Sequence, residues 1–211
     1  MEREIIMSAI LSLGLGYLLG CLNPAAYIGK RKNVDLSKTG TKNLGATNTA
    51  LVLGQKAGWV VLFFDMMKSI LSYKAAKLLF PQLRLAGLIA GLGVLLGHCF
   101  PITMGFVGGK GLASFGGLVL VTDPLVFCVL LTFGLWLAWK MNYGVYLAVS
   151  ATVLFPIAIW LRTGDVGITA MTAAASLLIF VMHWGNFMRA VKHEDPISAK
   201  GGLQKIFGKK K

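Results

Sequence analysis

The chain has 211 residues, a formal net charge of +13, 56% hydrophobic residues and only 14% charged residues. Soluble domains carry about 25% charged residues, so this composition speaks against a soluble globular protein, and its apolar content excludes disorder. The charge alone would suit nucleic-acid binding. The apolar content instead places the cations at the ends of membrane segments, and no nucleic-acid partner is expected.

A bilayer-crossing helix needs about 20 mainly apolar residues. Seven segments qualify as candidates: residues 5–29, 57–80, 85–104, 111–121, 124–139, 143–161 and 166–187. The expected fold is an all-α polytopic membrane helix bundle of about seven transmembrane helices. Residues 1–199 form a single membrane domain, and residues 200–211 a basic cytoplasmic tail suited to anionic headgroups. The start Met1-Glu2-Arg3-Glu4 is not the positive region of a cleavable signal, so the first span is read as retained. The fourth segment is too short to cross. It either begins inside the membrane from a glycine-rich loop or is re-entrant.

Lysine and arginine placement sets the orientation. With the N-terminus outside and the C-terminus cytoplasmic, the inner face receives Lys30, Arg31, Lys32, Lys38, Lys42, Lys56, Lys110, Lys140 and Arg189, besides the tail. The outer face keeps Arg3, Arg84 and Arg162. The segment 30–56 reads as a cytoplasmic loop. Cys21, Cys99 and Cys128 are odd in number and without CxxC spacing, so they read as small buried hydrophobes rather than disulfide or zinc ligands.

Four polar features call for an explanation. The first is Gly40-Thr41-Lys42-Asn43-Leu44-Gly45-Ala46-Thr47-Asn48, preceded by Asp35-Leu36-Ser37-Lys38. Glycines let backbone N–H groups approach a ligand, and Asn, Thr and Lys add donors. The run suits either a phosphate cradle or a plain polar turn, and it lacks the nucleotide P-loop pattern. The second is Gly97-His98-Cys99-Phe100-Pro101 followed by Gly108-Gly109-Lys110-Gly111, where a helix N-terminus behind a single cation favours an anion. The third is His183, Asn186 and Arg189 at the end of the last span. Their spacing of three puts His183 and Asn186 on neighbouring parts of one helix face, as a functional group or an interfacial anchor. The fourth is Asp65 with Lys68, one turn apart and read as a structural ion pair. The pairs Gly16/Gly20 and Gly87/Gly91 have the spacing of close helix packing.

HxxxxD, GxSxG and HExxH are all absent, which removes the common HxxxxD acyltransferases, serine hydrolases and zinc proteases. With acids so few, no metal or other cofactor is expected. A small organic-phosphate transporter would show internal symmetry and a polar midplane, whereas the polar groups here gather on one face.

Together these motifs resemble the integral-membrane acyl-phosphate:glycerol-3-phosphate acyltransferases. The family pattern Gly-Ser-Gly-Asn-x-Gly-Ala-Thr-Asn is similar to residues 40–48. Gly-His-x-Phe-Pro and Phe-Lys-Gly-Gly-Lys-Gly are similar to residues 97–101 and 106–111. His-x-x-Asn-x-x-Arg is matched by His183, Asn186 and Arg189, and Leu-Asp-x-x-Lys is approximated by Phe64-Asp65-Met66-Met67-Lys68. The resemblance implies acyl transfer from a fatty acyl phosphate to glycerol 3-phosphate, giving lysophosphatidic acid and phosphate on the cytoplasmic face of a bacterial inner membrane. It implies Lys110, His183 and Asn186 as catalytic residues. It assigns Lys38, Thr41, Asn43, Gly45, Thr47, Asn48, His98, Gly108, Gly109, Gly111 and Arg189 to the two phosphate-bearing substrates, with membrane lipids as the surroundings. The chain departs from the pattern at Thr41, Lys42 (family Gly), Leu51 (a basic residue in the family), Val107 (Lys), Val145 and Ala148 (both Ser). The alternative reading is therefore a relative that binds acyl phosphate or phospholipid without turnover, or that uses another acceptor.

Overall fold

The computed structural model describes residues 2–194, so the basic segment 200–211 lies outside the described residues. These form nine α-helices and one 3-10 turn, with no strand among the described residues. In chain order they are α1 (Glu2–Gly20), α2 (Pro24–Arg31), α3 (Ala46–Leu53), α4 (Gln55–Leu79), α5 (Ala86–Cys99), α6 (Leu112–Thr122), α7 (Pro124–Met141), α8 (Val145–Thr163) and α9 (Val166–Val191). The 3-10 turn, Ile102–Met104, follows α5. Five stretches, Glu2–Arg31, Ala86–Met104, Pro124–Met141, Val145–Thr163 and Val166–Val191, are long and apolar enough to cross a membrane; α6 is apolar but shorter. The chain is a multi-pass membrane protein.

The structure adds detail to one sequence expectation, whose span stands, and corrects another. The span expected over 5–29 is present within Glu2–Arg31 but its helix is broken: α1 stops at Gly20, and Asn23 caps α2 by accepting from Ala26 N–H, with Pro24 in the first turn. Proline fits the start of a helix because its missing N–H would have had no partner there. The segment 30–56 also contains a helix, α3. Its Thr47, Asn48 and Thr49 are weak helix formers, so the segment reads as loop. Packing overrides that propensity, because Ala50 of α3 lies directly on Gly58 of α4.

Glycine pairs set the helix order. Gly16 backs onto the Ala90 carbonyl, and Gly20 onto Val94 and Gly97. The numbers rise together, so α1 and α5 run parallel. A Cβ at any of these glycines would overlap backbone, which is why small residues occupy them. Gly91 receives Leu118 of α6, Gly117 backs onto Met66 of α4, and Gly134 of α7 receives Leu147 of α8. Inside, Leu95, Phe115, Leu118, Phe155 and Ile179 form the main core. Phe115 and Phe155 meet edge-to-face at 5.6 Å, the favoured geometry for an aromatic pair. Cys21 and Cys99 are buried as expected, but Cys128 is exposed on α7.

Two ion pairs, Arg84 with Asp165 and Arg162 with Asp123 at 2.6 Å, gather at one end of the bundle. Lys110, Asn186 and the loop 33–45 gather at the other. The segment after α5 folds back, with Gly109 N–H donating to the His98 carbonyl at 3.0 Å. Consequently α6 starts level with the last turn of α5 rather than beyond it.

Candidate active site

The loop 33–45 is organised around one side chain. Asn48, fully buried, points its Nδ2 at the carbonyls of Leu36, Thr39 and Asn43 at 2.9–3.0 Å, while its Oδ1 accepts from Thr41 N–H at 2.7 Å. A buried amide with every hydrogen-bonding group engaged fixes the surrounding backbone. Asn48 was expected to touch substrate; its partners make it the keystone of the loop instead. Gly40 and Lys42 both adopt positive φ, at +65° and +56°. Gly40 takes that conformation freely, and a β-carbon there would overlap Asn48 Oδ1. Lys42 holds a left-handed conformation that a β-carbon disfavours by about 1–2 kcal/mol.

The glycine segment 108–111 is equally constrained. A Cβ at Gly108 would overlap the His98 carbonyl, one at Gly109 the His98 ring, and one at Gly111 would press on Ile179. Gly111 has φ +77° and opens α6. The segment is thus a fitted turn that presents Lys110. Lys110 Nζ donates to Asn186 Oδ1 of α9. One turn earlier on α9, the buried His183 donates from Nδ1 to the Ile179 carbonyl at 2.9 Å. A carbonyl only accepts, so neutral His183 carries its hydrogen on Nδ1 and keeps a lone pair on Nε2.

These parts meet at a cavity of about 500 Å³ between α4, α6, α7 and α8. Its polar end is formed by Asn43, Gly45, Thr47, His98, Lys110 and His183. Gly111 and Asp65 also line it. Its remainder is apolar, with Leu62, Phe115, Val119, Leu130, Leu135 and Ala151 among the walls. Of the residues assigned from sequence, Lys38, Thr41, Asn48, Gly108, Gly109, Asn186 and Arg189 do not line it. Lys38 is exposed and pairs with Asp35 at 3.5 Å, and the Ser37 hydroxyl and N–H hold the Asp35 carboxyl below its usual range. Arg189 is exposed at the end of α9. Thr41 contributes its N–H to Asn48, and Gly108 and Gly109 act through their fit against His98. Asn186 joins the site through Lys110.

Sequence reasoning placed Asp65 and Lys68 together, and they lie 2.7 Å apart. It missed that His98 completes the group, with Nδ1 2.8 Å from Lys68 Nζ. The two positions are 30 residues apart in the chain, and only the packing of α4 on α5 joins them. It also missed the apolar walls, since their residues look like any lipid-facing or core positions. Among the described residues no group of His, Cys, Asp and Glu is arranged to hold a metal ion.

A family model for glycerol-3-phosphate acyltransferase matches residues 10–193. The glycerol-3-phosphate acyltransferase of Allorhizobium ampelinum (strain S4) is 31% identical over 204 residues, covering 95% of this chain and 97% of the relative. That of Macrococcus caseolyticus is 34% identical over 197 residues, covering 90% and 97%. Among solved structures, the glycerol 3-phosphate form of PlsY, an integral membrane glycerol 3-phosphate acyltransferase, superposes with a TM-score of 0.86 at 29% identity, covering 95% of this chain and 99% of that one. The lysophosphatidic acid form of PlsY gives 0.83 at 28% identity, covering 93% and 98%. With the matches spanning nearly the whole length, this chain belongs to the glycerol-3-phosphate acyltransferase family.

Proposed function

We propose that this chain transfers a fatty acyl group from an acyl phosphate to the 1-hydroxyl of glycerol 3-phosphate. The products are lysophosphatidic acid and inorganic phosphate, and the work is done at the cytoplasmic face of a bacterial inner membrane. The observation that carries the reading is the amphiphilic cavity. Its polar end holds Lys110 and the histidines, and its apolar length is shaped for a chain drawn from the bilayer. The Lys/Arg bias supports seven crossings with the N-terminus outside, since the loop 33–45 and Lys110 then share the basic side.

An acyl phosphate is already activated, so positioning and charge stabilisation supply the catalysis. The donor phosphate lies by Lys110 and the first amides of α6, where a helix start favours an anion. Asn43 and Thr47 add neutral donors around the acceptor. The acceptor hydroxyl oxygen attacks the acyl carbonyl carbon, and its proton passes to the Nε2 lone pair of His183. The carbon–oxygen bond to phosphate then breaks, the electron pair leaves with phosphate, and the proton follows it. Lys110, steadied by Asn186, offsets charge on the departing phosphate.

A second reading, binding without turnover, is favoured by one set of observations. Leu51, where relatives carry a basic residue, stands 47% exposed on α3, and the position of a family serine is the fully buried Ala148. Phosphate release from palmitoyl phosphate by purified protein in lipid, with and without glycerol 3-phosphate, separates the two. Acceptor-dependent release that is lost in Lys110→Ala is the expected result. Release without acceptor dependence points to another acceptor. No release from folded protein overturns the enzyme reading in favour of the binding protein.

A further inference from the structure

Lys68 sits in the middle of α4, only 4% exposed. Its ammonium has three hydrogens and three well-directed acceptors: the carbonyls of Gly20 at 3.2 Å and Leu22 at 3.1 Å, and His98 Nδ1 at 2.8 Å. Asp65 Oδ1 lies 2.7 Å from the same nitrogen as a counter-charge and 3.4 Å from His98 Nδ1, but off the hydrogen-bond direction of both, and accepts no hydrogen bond among the described residues. Burying such a pair is costly; here the ammonium is fully hydrogen-bonded and the carboxylate serves as its counter-charge. An ammonium has no lone pair, so Nδ1 must be the acceptor, and neutral His98 carries its hydrogen on Nε2.

That Nε2 edge packs against Gly109, at the spot a side chain would fill. The His98 carbonyl accepts from the same residue's N–H at 3.0 Å. His98 therefore grips the glycine turn twice, one residue before Lys110. The end of α1 would need only the two carbonyl bonds to Lys68. The ring contact extends the network to the segment that carries the reacting cation.

We propose that Asp65, Lys68 and His98 form a positioning relay for the acyl-transfer site. Lys68, neutralised by Asp65, fixes the His98 tautomer, and His98 fixes the turn 108–111 so that Lys110 stands beside Asn186. None of the three needs to react with substrate. The kinetic part rests on the acyltransferase reading; the tautomer part does not.

The test combines both. The chain has three histidines, His98, His183 and His193, so 15N-histidine labelling in lipid gives a short spectrum that His98→Gln assigns. His98 is expected as the Nε2–H tautomer in the wild type, and Lys68→Met shifts it toward Nδ1–H. Lys68→Met is expected to lower kcat by about 10–100-fold with little change in the KM for glycerol 3-phosphate, and adding His98→Gln brings no further loss. Gly109→Ala, which pushes a methyl into the ring without touching Lys68, reproduces the kcat loss while leaving the tautomer as in the wild type. An Nδ1–H tautomer in the wild type, or fully additive losses in the double variant, overturns the relay. Should Lys68→Met fail to fold, the wild-type tautomer and Gly109→Ala still decide. A wild type without acyl transfer overturns the functional reading alone, and the tautomer then decides the relay.

Discussion

Lys110 Nζ donates to Asn186 Oδ1, joining the turn before α6 to the last turns of α9 across 76 positions of sequence. The bond orients the Asn186 amide and steadies a cation beside the polar end of the cavity. Asn186→Ala removes the support and is expected to lower kcat about 10²-fold, measured as acceptor-dependent phosphate release. Asn186→Asp keeps a partner for Lys110 but adds negative charge beside two phosphates, so its loss exceeds that of the alanine variant. Equal, near-wild-type rates in both would show that Lys110 acts without this neighbour.

Asn48 has the opposite character. Its amide is engaged by four backbone groups and does not line the cavity. Asn48→Ala leaves the Thr41 N–H and several carbonyls short of a partner in a buried setting, at a cost of about 1–3 kcal/mol. Asn48→Asp keeps an acceptor for Thr41 N–H but turns a buried carboxylate oxygen onto three carbonyls, and is the worse substitution. The measurement is thermal unfolding in detergent. Loss of activity at unchanged stability would return Asn48 to the substrate-binding set.

This contrast shows how far the sequence can be read. Helical class, membrane setting and the gathering of motifs at one end follow from apolar run length and cation placement, which are local properties. So are Gly16, Gly20, Gly87 and Gly91, whose spacing marks helix contacts that the structure contains. Asn48 and Asn43 look alike in sequence, being polar residues in one glycine-rich run. Only the fold turns Asn48 inward to the loop while Asn43 lines the cavity. The helix α3 was hidden for a related reason: its weak formers are held by contact with α4. The bond from Lys68 to His98 depends on how α4 crosses α5, which no spacing rule encodes.

Lys42 occupies a left-handed conformation at φ +56°, at a position where the family pattern it resembles has glycine. Lys42→Gly relieves the β-carbon strain but adds freedom to the unfolded chain. The balance favours a rise in stability of up to about 1 kcal/mol, read as a higher unfolding temperature. A lower temperature would show that the lysine side chain itself supports the loop.

At the opposite end of the bundle, Arg84 hydrogen-bonds Asp165, which also caps α9 by accepting from Ile168 N–H at 2.9 Å. Foremost the Arg84 guanidinium, then the Ile168 N–H, hold the Asp165 carboxyl below its ordinary 3.8. A lowered folded-state value means that the unfolded chain takes up the proton first. The contribution is therefore present above pH about 4 and is lost as pH falls through the folded value. Unfolding temperature should drop on acidification below that range, and Asp165→Asn should flatten the drop while lowering the plateau at neutral pH. Identical acid profiles for the two proteins would remove Asp165 from the account.

Ala151 lines the apolar part of the cavity and is nearly buried on α8. An acyl tail arriving from the bilayer is already in an apolar medium, so the cavity gains little from transfer and selects chiefly by shape. Ala151→Phe fills part of that space without touching Lys110, His183 or Asn186. It should lower kcat/KM for palmitoyl phosphate by about 10-fold or more, within the range seen when a pocket loses room for a few methylenes. Decanoyl phosphate, whose tail ends sooner, should lose less, and the KM for glycerol 3-phosphate should stay near the wild-type value. Equal losses for both donors would mean that the tail lies elsewhere, along the lipid-facing surface of the helices, and that the cavity serves only the two phosphates.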